Sequence, residues 1–372
     1  MPEKSHEARP HRKRVLRRVP SAPRRRRGVT VVVPAYNYAR YLPECASSVL
    51  TQRDVDVRLV IVDDCSTDGT PAVTAALAAG DPRVTVVRSP VNRGHIPSVN
   101  AGLERVETEY VVKLDADDLL PPGALARATA LLEAHPAVAF VYGRPLHFSG
   151  PAPRPNDAPT RSWTIWPGAD WVAACCRGAA NAISQPEVVI RTSVLRRIGA
   201  IAAELPHTSD LHTWMRLASV GDVGRVNGPV QGCYRVHDAS MQRTVHSGVL
   251  FDLRGRREAF EAALAADAGV LSGMDDLRAA ARRRLAAKAL DRACRAYDRG
   301  RTGEVPVDEL VAFAVEVWPD ARRLPEWAAL QRRRSVGARG VPRRPRFVAA
   351  ALARRLREER DRRHWLRTGE LC

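Results

Sequence analysis

This sequence of 372 residues is narrowed first by what it does not contain. No run of about 18 or more uncharged apolar residues occurs, so no segment is expected to cross a bilayer as a helix. The basic N-terminus, His11 to Arg27, is mostly Arg, Pro and Val and lacks the apolar core of a signal peptide, so a cytoplasmic location is expected. The seven cysteines (45, 65, 175, 176, 233, 294 and 372) include no CxxC pair, which favours buried reduced thiols over a disulfide framework or a zinc site. Glycine-rich phosphate loops are missing too. Pro34-Ala35-Tyr36-Asn37 follows the first apolar run, where a nucleotidyltransferase needs a Gly-rich loop bearing Lys or Arg. No GxGxxG follows Val33, which disfavours a dinucleotide enzyme.

Charge, by contrast, is plentiful and unevenly placed. The formal net charge is +18, yet residues 28–254 hold 21 Lys and Arg against 22 acids. The excess sits in the flanks: 11 basic residues against two acids in 1–27, and 27 against 17 in 255–372. A nucleic-acid enzyme needs a basic cleft, so no specific nucleic-acid partner is expected, and the flanks read as docking or solubilising parts.

Residues 1–27 are Arg- and Pro-rich without apolar periodicity and read as a disordered basic arm. From Gly28 the pattern changes. Val29 to Val33 and Arg58 to Val62 are short β-branched runs suited to strands buried on both faces. Val84 to Val87 and Tyr110 to Leu114 are further strands. Helical patterns at 42–50, 71–79 and 96–106 separate these strands, with Pro97 tolerable in a first turn. The alternation predicts an α/β fold: a Rossmann-like, mostly parallel sheet sandwiched by helices. In such sheets ligands sit beyond the carboxyl ends of the strands, where Asp63-Asp64 and Asp115-Ala116-Asp117-Asp118 fall. Residues 28–150 form the first half of this domain and 151–254 the second. Residues 255–372 form an Ala/Arg-rich helical region broken near Gly303, where a helical hairpin is one option. The last helix carries Val348, Leu352 and Leu356 along one side, an arrangement suited to an anionic lipid surface, to a dimer, or to plain solvation.

Asp115 and Asp117, at a strand end and two residues apart, project toward the same side and suit a divalent cation holding a diphosphate. An ordinary Asp-rich turn has the same appearance. The order of four motifs separates the two readings. Val31-Val32-Val33-Pro34-Ala35-Tyr36-Asn37, Val62 to Thr70 (VDDCSTDGT), Asn92-Arg93-Gly94 with Asn100-Ala101-Gly102, and Leu114 to Asp118 (LDADD) together resemble the inverting glycosyltransferases of family 2, which have the GT-A fold. The resemblance covers residues 28–150 densely. It implies that Pro34, Ala35 and Tyr36 line a nucleotide pocket and that Asp64 accepts a hydrogen bond from the base, with Asp63 its structural neighbour. It further implies that Arg93 contacts the nucleotide, that Asp117 is the principal metal ligand, and that Asp115 touches the ribose or the metal shell.

The second half resembles the family more thinly. Ser209-Asp210 opens a helical pattern running to Leu217, where the family carries its catalytic base; Ser209 stands in place of the frequent Glu, so Asp210 carries that role. A plain helix N-cap is the competing reading. Tyr234-Arg235-Val236-His237 resembles a later motif whose His completes the metal site, and Mn²⁺ or Mg²⁺ suits carboxylates beside an imidazole. Met241 and Arg243 follow in what reads as a loop closing over the diphosphate. Trp163 and Trp166 suit either stacking on a sugar or core packing.

The resemblance therefore implies metal-dependent inverting transfer from a nucleotide sugar, UDP-sugars first, to a glycan, lipid-linked, small-molecule or peptide acceptor. Basic tails touching the inner face of a membrane fit the same reading. A non-catalytic binding protein on the same fold and a nucleotidyltransferase are the rival readings.

Overall fold

The computed structural model describes residues 13–17, 19–20, 22–153, 158–181, 183–237, 248–266 and 271–369. Strands β2 (Gly28–Ala35), β3 (Asp56–Asp63), β4 (Val84–Arg88) and β5 (Tyr110–Lys113) pair in parallel in the order β5-β2-β3-β4. Helices α1 (Leu42–Leu50), α2 (Thr70–Gly80) and α3 (His95–Leu103) connect them. Their Val and Ile runs are apolar on both faces because helices cover both sides: Val29, Val31, Val32, Val33 and Ile61 are fully buried. Gly102 of α3 lies against Val32, where an added Cβ meets Val32 Cγ1 at 2.3 Å, so this helix sits close on the sheet only because it has no side chain there.

After β5 the chain passes through α4 (Ala124–Ala134), β6 (Val138–Phe148), β7 (Ser162–Trp166), α5 (Gly168–Gly178), β8 (Val189–Arg191), α6 (Thr192–Ile198), α7 (Ser209–Ser219) and β9 (Asp222–Arg235). With an edge strand β1 (Arg14–Arg17) they complete, among the described residues, nine strands in the order β1-β7-β9-β6-β8-β5-β2-β3-β4. The sheet is mixed. Short β8 runs antiparallel between β5 and β6, and β7 runs antiparallel to β9, so only the first half is uniformly parallel.

Two expectations are corrected here, and one open choice is decided. Residues 14–17 were read as part of a disordered arm; they are a strand, Arg14 opposite Ile165 and Arg17 opposite Ser162. Tertiary pairing to the free edge of β7 overrides a composition that gives no apolar period. Trp163 and Trp166 are core residues, 2% and 7% exposed, with Trp166 stacked on Tyr142 at 6.0 Å. The boundary at 254/255 falls inside a helix, α8 (Val249–Ala265), so no linker separates the halves there.

The helical region continues with α9 (Met274–Asp298), α10 (Val307–Val317), α11 (Pro325–Arg334) and α12 (Pro345–Thr368). α9 and α10 pack as a hairpin about Gly303, and Ala281, Ala286, Ala289 and Ala293 let α9 lie close to its neighbours. One core runs from Phe140, Trp171 and Trp214 to Leu285, Leu290 and Phe313. A buried ion pair, Arg333 with Asp298 at 2.7 Å, is joined by Arg354 at 2.5 Å and ties α9, α11 and α12 together. The C-terminal end of α12 is held on the sheet, where Tyr142 Oη donates to Gly369 O at 3.1 Å and Arg225 to Leu366 O at 2.9 Å. Val348, Leu352 and Leu356 share one side of α12, as the spacing implied, and stay more than half exposed. None of the described helices is long and apolar enough to cross a membrane.

Candidate functional site

The carboxyl ends of β2, β3 and β5 open on a cleft of about 530 Å³. Pro34, Ala35, Tyr36, Asp64, Asp115 and Asp117 line it from the first half, and Gln185, His207, Asp210 and His237 from the second. Residues read separately from the sequence therefore share one wall-to-wall space, because the ends of parallel strands fall on the same side of the sheet.

Asp63 and Asp64 face different surroundings. Asp63 is wholly buried, accepting from Ser66 N at 3.0 Å, with Arg88 Nε 3.4 Å from its other oxygen. Asp64 faces the cleft and accepts from Arg93 N at 2.9 Å and Gly94 N at 2.7 Å. Arg93 thus enters through its backbone; its side chain is exposed and does not line the cleft. Gly94, at φ 91°, provides the turn into α3 that aims both N–H groups at Asp64. Asn37, also at positive φ (59°), accepts from Thr67 N at 2.8 Å and fastens the Pro34-Ala35-Tyr36 loop to the loop after β3.

The acidic turn after β5 gathers more negative charge than its surroundings neutralise. Burial and the charge of Asp115 push Asp117 above the usual carboxylate range, although His237 Nε2 lies 2.8 Å from its Oδ2 and pulls it down. Burial together with Asp117 and Asp115 pushes Asp118 well above that range. Burial acts the same way on Asp115, but the ammonium of Lys113 and His95 outweigh it and hold Asp115 low. Asp115 Oδ1 and Asp118 Oδ2 are buried with no hydrogen-bond partner among the described residues. Such orphaned acceptors beside an imidazole are the donor chemistry of a hard divalent cation. No group of three or more His, Cys, Asp or Glu among the described residues is arranged as a complete cation site. Asp117 and His237 fit such an ion only with further oxygens from a ligand.

Arg235 braces this turn. Its backbone N–H donates to Asp118 Oδ1 at 2.8 Å and its Nε to Asp117 O at 2.8 Å, while the guanidinium pairs with Glu44 and lies over Phe148, 4.5 Å from the ring centroid. The Tyr234–His237 motif thus shapes the acidic turn as well as presenting an imidazole.

Asp210 lies in the first turn of α7, whose N-cap, Thr208, makes no side-chain cap bond. Its Oδ1 instead accepts from Lys113 Nζ at 3.2 Å, across the floor of the cleft. The N-cap reading of Ser209-Asp210 therefore fails. Lys113 was missed from sequence, although a lysine ending the apolar run Tyr110-Val111-Val112 was a visible signal. Its side chain is 7% exposed, 3.2 Å from Asp210 and 3.9 Å from Asp115. Burial pulls its ammonium down, but the charges of Asp210 and Asp115 prevail and hold it above its ordinary value. Gln185 (φ 99°) donates from Nε2 to Lys113 O at 3.0 Å, and buried Glu187, which accepts from Ser184 N at 2.8 Å, is pushed by burial up to about 7. Nothing in the local sequence marks these two. Met241 and Arg243 lie outside the described residues.

The mixed α/β sheet with acidic strand ends facing a helix-borne carboxylate matches the GT-A fold that the sequence resemblance implied. The family described as Glycosyl transferase family 2 matches residues 30–173 of this chain. The succinoglycan biosynthesis protein ExoO of Rhizobium meliloti is 42% identical over 99 residues, 27% of this chain and 28% of that protein. Chondroitin synthase of Pasteurella multocida is 38% identical over 97 residues, 26% of this chain and 10% of that protein. The chain thus matches less than a third of the length of these curated relatives. Among solved structures, S. aureus TarS 1–349 in complex with UDP-GlcNAc aligns with a TM-score of 0.56 at 16% identity, covering 83% of this chain and 92% of that one. That likeness extends the GT-A fold through most of the chain, beyond the matched family segment.

Proposed function

We propose that the protein transfers a sugar from a nucleoside diphosphate sugar to a nucleophilic acceptor, with inversion at the anomeric carbon. One observation carries the reading: Asp210 and the Asp115–Asp117 turn, distant in sequence, face one cleft with Lys113 between them. Pro34, Ala35, Tyr36 and Asp64 are assigned to the nucleotide, with Arg93 contributing its backbone to the Asp64 loop. Asp117 and His237 are assigned to a Mn²⁺ or Mg²⁺ ion, with Asp115 beside it. When bound, such an ion stabilises the charge that develops on the departing diphosphate.

Asp210 takes the proton from the acceptor hydroxyl as that oxygen attacks the anomeric carbon and the bond to the diphosphate breaks. Lys113 holds one oxygen of Asp210 at 3.2 Å and so orients the other toward the acceptor. UDP-sugars are the first donors to test, because S. aureus TarS has been crystallised with UDP and with UDP-GlcNAc. The acceptor class we assign is a cell-envelope glycan or lipid-linked glycan. Its glycosylation would take place at the cytoplasmic face of the membrane, with the basic flanks touching anionic lipid.

Calorimetric titration of UDP, dTDP and GDP, with Mn²⁺ and then with EDTA, tests the reading. Metal-dependent binding of one nucleotide, lost in Asp117→Asn, is the expected result. Binding of none of the three overturns it in favour of a non-catalytic role for the fold.

A further inference from the structure

A second cleft, of about 550 Å³, lies among the Arg-rich helices, walled by α8, α9 and α12 with Glu326 of α11 at its edge. On α9, Arg284, Lys288 and Arg292 recur at four-residue spacing and all three line it. Like charges at that spacing repel one another on a helix face. Arg357 of α12 and Arg256 of α8 add to the same wall.

Five acids line the cleft beside seven cations, and four of the five stand in ion pairs. Asp252 is held by Arg256 at 2.9 Å and by His207 at 3.3 Å. Asp291 and Glu358 pair with Arg295, and Asp291 also lies 3.6 Å from Arg354. Asp361 lies 3.6 Å from Arg360. Lys288 Nζ donates to Ala179 O at 3.0 Å, at the C-terminal end of α5, and meets no carboxylate there. Arg284, Arg292 and Arg357 make no ion pair or hydrogen bond with any described residue. Burial, with the charges of Arg256 and Arg284 and a contribution from Arg292, pulls the Lys288 ammonium down to about 7. Cations thus outnumber acids along this lining, and Arg284, Lys288, Arg292 and Arg357 have no carboxylate among the described residues paired with them, a self-repulsion that an added anion relieves.

We propose that this cleft binds a phosphate group. Several guanidinium forks and an ammonium converging on one space suit a tetrahedral, doubly charged anion better than a single carboxylate. The cleft also adjoins the donor site: the His207–Asp252 pair forms a shared wall, His207 lining one space and Asp252 the other. A phosphate-bearing acceptor held here presents its nucleophile toward Asp210. That placement rests on the transferase reading, whereas phosphate binding itself does not.

Calorimetry of the full chain with inorganic pyrophosphate in EDTA tests the proposal while keeping metal-dependent donor binding silent. One site is expected, weakened at least about tenfold in Arg284→Gln/Arg292→Gln, which removes two charged donors from the cleft. The site should survive in Asp117→Asn and in Arg332→Gln/Arg343→Gln, which removes the same charge from exposed positions outside the cleft. No binding by the native chain, or equal weakening by both double variants, overturns the proposal. Sedimentation with vesicles of 20% phosphatidic acid in phosphatidylcholine separates the sources. Vesicle binding lost in Arg284→Gln/Arg292→Gln assigns the phosphate to a lipid headgroup; pyrophosphate binding without vesicle binding assigns it to a soluble acceptor. If pyrophosphate binds and no nucleotide does, the transferase reading falls and this site stands.

Discussion

The sheet end and the helical end of the molecule hold their charge in opposite ways. At the carboxyl end of β5, Asp115, Asp117 and Asp118 crowd together, and Asp117 and Asp118 are pushed above the ordinary carboxylate range. Among the C-terminal helices, Arg284, Lys288 and Arg292 crowd instead, and Lys288 is pulled down to about 7. The same helices hold a third arrangement, Arg333 with Asp298, where both side chains are 5% exposed and each has its partner. Paired charge of the third kind ties helices together. The two crowded clusters line clefts instead, each with an excess of one sign that its neighbours offset only in part.

The sharpest test of the acidic end is catalytic. Asp210→Asn should lower turnover by about 10²–10⁴ while leaving nucleotide affinity intact, measured as donor consumption beside calorimetric binding. Near-normal turnover removes Asp210 from its role. Next in size is the paired region: Asp298→Ala leaves Arg333 buried without its carboxylate and should lower stability by roughly 3–5 kcal/mol, read by urea unfolding. An effect below about 1 kcal/mol breaks the distinction between paired and unpaired charge drawn above.

The pH dependence comes third and has opposite signs at the two ends. Glu187 titrates near 7 in the folded chain, above the 4.5 of an unperturbed Glu. Between these values the folded state holds a proton that the unfolded state has released, so this group's contribution to stability falls as pH rises. Glu187→Gln should then raise stability above pH 7 by up to roughly 3 kcal/mol. Lys288 titrates near 7 against 10.5, so its contribution rises with pH across that window, and Lys288→Met should flatten the rise. Urea midpoints at pH 5, 7 and 9 check both. The smallest effect concerns α12: replacing Val348, Leu352 and Leu356 with Gln should change stability by less than about 0.5 kcal/mol at each site, since all three are exposed.

Legibility differed between the same two ends. Leu42–Leu50 and the strands through Lys113 could be read closely because the apolar runs are short, and those of β2 and β3 are buried on both faces and end in Pro34 and Asp63. The acidic motifs stood at strand ends, where local sequence already implies a cleft. The helical end offered Ala and Arg at most positions, so the spacing of Arg284, Lys288 and Arg292 looked like any solvated face until α8 and α12 closed around it. The strand Arg14–Arg17 was hidden for a similar reason, since what makes it a strand is the free edge of β7.

From the chain of residues alone follow the parallel first half of the sheet, the family its motifs resemble, and the carboxylates at its strand ends. These rest on interactions between near neighbours: side-chain period, β-branching and turn chemistry. Which charges are paired could not follow in the same way. Lys113 meets Asp210 across 97 residues and Asp117 meets His237 across 120, and an electrostatic contact is set by distance in space and by burial. Folding therefore determines whether a given Asp, Lys or Arg is a brace, a base or the lining of a cleft.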